Sequence, residues 1–441
     1  MKKSFSFLLA LSLISALAPT AQAAVKAGGS CSKVGQTSIS KGFKFTCTAV
    51  GKKKVWSKGV KVITNSASKP TPTPSPTPTV TPTPETPKLS LAEILWSPAI
   101  NGKFPIESEV FEVPTKLPTS WDDLYENRSG ISYKAWQSVS TTIKKSQSKL
   151  PTFDVLKGPN TNPLFSDIEG QMSVVSKAFP TAKESTKMTI VIFNFEDLDW
   201  ADKTFRNLIK DETDAFKRNY QDTVQGMCQI QRKMCWSATA FTDPRENAWM
   251  LVGIVEGEAK KQTDLSYSGY LRFDKGLTLG HEYFHTIQRK ILGDRWFQMQ
   301  YVPPIWFNEG SAVFAEFAAP NYLSYQDYMR ARAVDSKLAN PVCSNRFDGG
   351  CIKITESLML DFLDLKHYDK NWSNFPYGMK YEVSMRIMEI LASVKGHESI
   401  TDLYSYMAKG NTFEEAFQYI YGISYKTAIP MISKILTEQF S

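Results

Sequence analysis

Residues 280–285 have the residue types and spacing of a metal site. His281 and His285 are four positions apart, so on an α-helix their imidazoles project from the same face, one turn apart. This spacing lets both rings reach a single Zn²⁺ ion. Glu282, which follows the first histidine, can then act on the attacking water without ligating the metal. The alternative is a pair of ordinary helix histidines beside a surface glutamate.

A second helix is predicted after Pro304, which suits a first helical turn, and Pro320 marks its end. Residues 293–302 are long enough for the chain to turn back. The second helix can therefore lie beside the first and bring Glu309 to the two histidines as a third ligand. Glu316 lies seven positions further, on the same helix face, where it can either orient a ligand histidine or remain a solvated charge.

The segment HEYFH, followed by WFNEGSAVFAE, resembles the gluzincin metallopeptidases, especially the peptidase-MA-like and aminopeptidase-N-type enzymes. The resemblance covers about residues 277–319. It implies a zincin-like catalytic domain with one zinc ion held by His281, His285 and Glu309. It also implies that Glu282 is the general base of peptide-bond hydrolysis.

A further helical stretch, residues 375–394, resembles the helix on which such enzymes carry a tyrosine that donates a hydrogen bond to the oxyanion. Tyr377 is the first candidate for this role and Tyr381 the second. Packing or surface tyrosines are the alternative. The remaining histidines, His367 and His397, have no partner pattern and are expected at the surface.

Aminopeptidase-type relatives carry a Gly-x-Met-Glu-Asn segment that binds the free amino terminus of the substrate. Residues 247–280 contain no such segment. The sequence therefore favours a zinc-dependent endopeptidase over an aminopeptidase. The alternative from another class is a catalytically silent zincin-fold binding protein attached to the cell envelope.

The elements that position these side chains follow from hydrophobic periodicity. Residues 188–195 and 248–255 are rich in β-branched and aromatic residues, which predicts strands. Helical patterns cover about residues 131–148, 165–178 and 200–220. After Gly276 the pattern becomes mainly helical. Strands first and helices later predict an α+β fold class for a catalytic domain over residues 89–441.

The N-terminus has the pattern of a signal peptide over residues 1–23. Two lysines precede a short apolar run, and Ala21-Gln22-Ala23 supplies a small-x-small cleavage site. No other apolar stretch is long enough to span a membrane. The predicted mature chain begins at Ala24 and is secreted, either as a free extracellular protein or in association with the cell wall.

Residues 67–88 are dominated by alternating Pro and Thr, which favours an extended polyproline II spacer. The preceding residues 24–66 form a small basic module that resembles a module of exported actinobacterial proteins. Its core is too small to be stable without a covalent cross-link.

Six cysteines fit an oxidising compartment, although they allow 15 connectivities. Proximity in the sequence pairs them as Cys31/Cys47, Cys228/Cys235 and Cys343/Cys351.

The charge of the chain is unevenly distributed. Residues 24–69 contain ten lysines and no acidic residue. Without these and the two signal-peptide lysines, the net charge of +8 becomes about −4. The basic module can attract an anionic polymer of the cell envelope, or its lysines can simply keep it soluble. A peptide or protein substrate is the other expected partner, and no nucleic acid is expected.

Overall fold

The computed structural model describes residues 26–40, 43–51, 53–61, 110–147, 151–163, 165, 167–243, 247–255, 276–297, 303–338, 354–367, 375 and 379–440. The chain divides into two units, Met1–Pro84 and Glu85–Ser441. Within the described ranges, no helix has the length and apolar character needed to cross a membrane.

An antiparallel sheet forms the N-terminal unit. Its strands are β1 (Thr37–Ser40), β2 (Phe43–Val50), β3 (Lys53–Trp56) and β4 (Val60–Lys61). The other three strands all pair with β2. Phe45, Cys47 and Trp56 are buried and make a very small core. The predicted disulfide between Cys31 and Cys47 is confirmed, and it cross-links this core.

The C-terminal unit contains a four-stranded mixed sheet. Its strands are β5 (Thr152–Lys157), β6 (Lys187–Phe193), β7 (Ser237–Thr242) and β8 (Asn247–Gly253). In the order β5-β6-β8-β7, the first three strands are parallel and β7 is antiparallel to β8. The two predicted strands are therefore confirmed as β6 and β8. Their continuous apolar runs reflect burial on both faces, because Ile190 faces one hydrophobic cluster and Val191 the other.

Helices precede and separate these strands along the chain, and the described residues after β8 are mainly helical. Before β8 they are α1 (Ile131–Lys145), α2 (Ile168–Ala178), α3 (Leu198–Leu208), α4 (Asp214–Tyr220) and α5 (Thr223–Gly226). After β8 they are α6 (Leu277–Leu292), α7 (Ile305–Ala318), α8 (Tyr325–Leu338), α9 (Glu356–Leu363), α10 (Ser384–Lys395), α11 (Ser399–Met407), α12 (Phe413–Tyr421) and α13 (Tyr425–Gln439). A π-helical stretch, Met379–Val383, leads into α10. This mixture of strands and helices agrees with the predicted α+β class.

Capping side chains shift some predicted helix bounds. The single helix predicted over residues 200–220 is wrong, because the Thr213 side chain accepts a hydrogen bond from the Phe216 backbone N–H and starts α4 separately from α3. In the same way, α2 begins at Ile168, because the Asp167 side chain accepts from the backbone N–H of Gly170.

A second disulfide, also predicted, links Cys228 and Cys235. It joins the paired two-residue strands Cys228–Gln229 and Met234–Cys235. The third predicted couple, Cys343/Cys351, lies outside the described residues.

Candidate metal centre

The two histidines lie on α6, which is buried along nearly all of its length. The helix begins after Gly276 and ends at Gly293, whose φ angles of +76° and +57° favour glycine. Thr278 lies inside the first turn, and no side chain caps the start of the helix.

Helix α7 packs directly against α6. Gly280 of α6 faces α7, because a Cβ atom there would lie 3.9 Å from the Cα atom of Glu316. On another side of α7, Gly310 allows close approach to α10, since a Cβ atom there would lie 2.6 Å from the backbone oxygen of Ser384. The close approach of the two helices brings Glu309 of α7 beside the histidines, as the sequence predicted.

Three acceptor atoms converge between the helices. The Nε2 atoms of His281 and His285 are 3.1 Å apart, and each lies 3.4 Å from Oε2 of Glu309. Zinc–ligand distances of about 2.0–2.1 Å in a tetrahedron require ligand atoms about 3.3–3.4 Å apart. The observed triangle matches one face of such a tetrahedron. These three residues can therefore hold a metal ion.

Hydrogen bonds fix the other side of each imidazole. Nδ1 of His281 lies 3.2 Å from Oε2 of the buried Glu316, and Nδ1 of His285 lies 2.7 Å from Oε1 of Gln288. Both partners are acceptors, so each Nδ1 donates its proton outward and each Nε2 presents a lone pair to the centre. Of the two readings of Glu316, the structure therefore favours histidine orientation over a solvated charge.

Gln288 is a site residue that sequence reasoning missed. Its Nε2 donates to the backbone oxygen of Asn308 and to Oγ of Ser311, both at 2.8 Å. One amide therefore orients His285 and also ties α6 to α7 immediately before Glu309. The available signal was its position three residues after His285, within reach on the same helix.

The charges at the centre are strongly coupled. Burial acts to lower the pKa of His281, but the hydrogen bonds to Glu309 and Glu316 prevail and raise it to about 10. Burial acts to raise the pKa of Glu309, but His285 and His281 hold it well below its usual range. A positive charge, either a proton or a metal ion, is therefore strongly favoured between these groups.

Glu282 is also buried on α6. Burial raises the pKa of its carboxyl group, and the neighbouring His285 and His281 oppose that rise. A carboxylate with a raised pKa next to a metal site suits a general base at neutral pH.

The structure places the second candidate tyrosine at the site. Tyr381 lies in the π-helical stretch Met379–Val383, with its ring centroid 6.3 Å from that of His281. Such π-helical insertions are frequent at functional sites. The first candidate, Tyr377, lies outside the described residues, and regular helix was predicted where this insertion occurs.

His397 is not a surface residue, so that expectation is wrong. It is buried, with Nδ1 2.8 Å from Oγ of Ser138 and Nε2 2.6 Å from the backbone oxygen of Ala178. Burial lowers its pKa to about 4. His397 therefore acts as a neutral link between α1, the end of α2 and α11.

Comparisons with protein-family models, with curated proteins and with solved structures found no match to this chain.

Proposed function

We propose that this chain is an exported zinc peptidase that cleaves within polypeptides, with His281, His285 and Glu309 as ligands and Glu282 as general base. The supporting observation is the triangle of two Nε2 atoms and one Oε2 atom, with sides of 3.1, 3.4 and 3.4 Å. Three protein ligands leave a fourth position for water or substrate, as catalytic zinc sites require.

The chemistry follows from the buried side chains. A zinc ion bound there would polarise the scissile carbonyl and make the attacking water more acidic. Glu282 accepts the proton of that water and returns it to the leaving amine. Tyr381, whose ring lies near His281, can donate a hydrogen bond to the developing oxyanion. Tyr377 stays a prediction for the same role.

The sheet offers a way to hold an extended substrate. Strand β7 packs against α6 and pairs only with β8 among the described strands. Its outer edge can therefore hydrogen-bond to the backbone of an added peptide strand. Binding of this kind holds neither end of the polypeptide, which supports endopeptidase action over aminopeptidase action.

Export is part of the proposal. The signal-peptide pattern and the two observed disulfides are consistent with an oxidising compartment. In the N-terminal unit, Lys33, Lys44 and Lys53 are among the exposed lysines, and no acidic residue offsets them. We propose that this unit binds an anionic envelope polymer. Binding of the full chain to purified wall polymer should weaken as salt rises.

The test of the peptidase proposal compares the mature protein with its Glu282→Gln variant. We expect one zinc ion per chain in both proteins. Wild type should hydrolyse peptides that are blocked at the amino terminus, and the variant should lose about 10²- to 10⁴-fold in kcat. Glu414→Gln, an exposed residue on α12, is the matched control and should match wild type. A silent binding protein would give no hydrolysis in any of the three, and an aminopeptidase would cleave only peptides with a free amine.

A further inference from the structure

A guanidinium lies on the same helix as the metal-site histidines. Arg289 is four residues after His285 and seven after Glu282, so it shares their side of α6. Burial lowers the pKa of Arg289, and the nearby Tyr220, Glu282 and Glu309 oppose this effect. The guanidinium therefore lies close enough to the proposed base and ligand to interact with their charges.

The contacts of Arg289 leave most of its donors without a carboxylate. Its Nη1 donates to the backbone oxygen of Ala240 in β7, and its Cζ lies 5.8 Å from the ring of Phe241 and 5.1 Å from that of Trp296. Its Nε is buried and has no hydrogen-bond partner. Among the described residues, no ion pair involves Arg289.

A guanidinium has five N–H donors in a planar fork, and Arg289 is half-buried with only one of them bonded to an acceptor of the sheet. The charges of Glu282 and Glu309 act on Arg289, but neither carboxylate forms an ion pair with it. Arg332 of the same unit shows the structural alternative, because its Nε and Nη2 donate to the two carboxylate oxygens of Glu389. The single backbone hydrogen bond to β7 leaves most donors of the half-buried Arg289 for another acceptor.

We propose that Arg289 is a specificity residue that binds a carboxylate of the peptide substrate between α6 and the edge of β7. A guanidinium matches a carboxylate bidentately, which gives both affinity and orientation. The bound carboxylate would lie between Ala240 of β7 on one side and the face of α6 that carries Glu282 on the other. The reaction itself rests on the proposed function, but the binding of the carboxylate does not.

Two groups of a polypeptide carry this chemistry: the C-terminal carboxylate and the side chain of Asp or Glu. Matched peptides separate them. One pair differs only in a free-acid or amide C-terminus, and a second pair differs only in Glu or Gln near the scissile bond. For wild type, we expect one carboxylate peptide to exceed its neutral partner in kcat/KM by about 10- to 100-fold.

The Arg289→Gln variant should lose at least tenfold more kcat/KM on the preferred carboxylate peptide than on its neutral partner. Arg289→Lys keeps the charge but lacks the fork, so it should retain an intermediate preference. Arg232→Gln, an exposed arginine, is the matched control and should keep the wild-type preference. If Arg289 only ties α6 to β7, both peptides of each pair lose equally. A wild-type protein without any carboxylate preference would also overturn the proposal.

Binding measurements separate this inference from the peptidase proposal. The same peptides are titrated calorimetrically into the Glu282→Gln protein, with and without Arg289→Gln. Carboxylate-dependent binding that disappears with Arg289 would support the specificity residue even if wild type hydrolysed nothing. If neither hydrolysis nor binding depends on the carboxylate, the proposed role of Arg289 is rejected, whereas the peptidase proposal is unaffected.

Discussion

The C-terminal unit contains two buried clusters of charged side chains, and their charges are compensated in different ways. In the first, Nε and Nη2 of Arg332 pair with the two carboxylate oxygens of Glu389 at 2.6 and 2.7 Å, and the Tyr328 hydroxyl donates to the same carboxylate at 2.5 Å. Burial acts to raise the pKa of Glu389, but Arg332 and Arg386 hold it below its usual value. Both oxygens of the Glu389 carboxylate are therefore satisfied by donors of the protein itself.

In the second cluster, acceptors face acceptors. The outward hydrogen bonds of His281 and His285 turn both Nε2 lone pairs toward each other and toward the Glu309 carboxylate. Three lone-pair donors at this spacing repel one another unless a cation lies among them. The comparison teaches that burial of charge alone does not mark a functional site. The mark is a set of buried ligand atoms whose mutual distances fit a metal better than they fit one another.

Removing a ligand should have the largest effect. Glu309→Gln replaces the only carboxylate of the triangle, so zinc affinity should fall by more than the roughly 100-fold that loss of an outer partner can cost. Hydrolysis should become undetectable, while the fold persists. Zinc content and circular dichroism measure the two effects. Full zinc occupancy in this variant would contradict the assignment of Glu309.

Breaking the cluster of Arg332 and Glu389 should lower the stability of the fold instead. Glu389→Ala leaves Arg332 buried without its counter-charge, which should lower the free energy of unfolding by about 3–5 kcal/mol. Zinc affinity of the folded protein should stay near wild type. Urea denaturation followed by circular dichroism checks the first point, with the exposed Glu414→Ala as control. A loss below about 1 kcal/mol would remove the contrast between the clusters.

Loosening an outer partner should have an intermediate effect on the metal. Gln288→Leu removes the acceptor for Nδ1 of His285 and the link to Ser311. Zinc affinity, measured by competition with a chelator, should fall by about 10- to 100-fold. Gln418→Leu, an exposed glutamine on α12, should leave it unchanged. Equal affinities in all three proteins would show that His285 needs no such support.

The pH dependence should be the smallest effect. In the metal-free protein, the pKa of His281 is raised from 6.5 to about 10. Its contribution to stability is therefore complete below about pH 6.5 and disappears as the pH rises through about 10. Zinc must displace this proton, so the apparent zinc affinity should rise by about tenfold per pH unit between pH 6.5 and 8. Calorimetry in buffers of different ionisation enthalpy should detect about one released proton. An affinity independent of pH would contradict the coupling.

The centre of the site could be predicted because its key distances are local. His281, Glu282 and His285 share one helix, where a spacing of four residues fixes their common side. Glu309 needed only a second helix that turns back. The strands β6 and β8 were predictable for a similar reason, since long apolar runs bounded by polar residues leave few alternatives.

The rest depends on tertiary contacts that no local pattern encodes. Gln288 is important because it bonds to Ser311 and to the Asn308 carbonyl, which belong to α7. Arg289 is important because it bonds to the Ala240 carbonyl, which belongs to strand β7 of the sheet. His397 was predicted at the surface because its hydrogen-bond partners lie on helices that are distant in the sequence. The π-helical insertion that carries Tyr381 was not predicted, because it depends on how that stretch packs against α7.

Diffraction from crystals grown with zinc, recorded on both sides of the zinc absorption edge, locates the metal relative to the three ligands. We expect one anomalous peak in the C-terminal unit, about 2.0–2.2 Å from Nε2 of His281, Nε2 of His285 and a carboxylate oxygen of Glu309. Zinc bound elsewhere, or a Glu309 side chain turned away from both imidazoles, would contradict it.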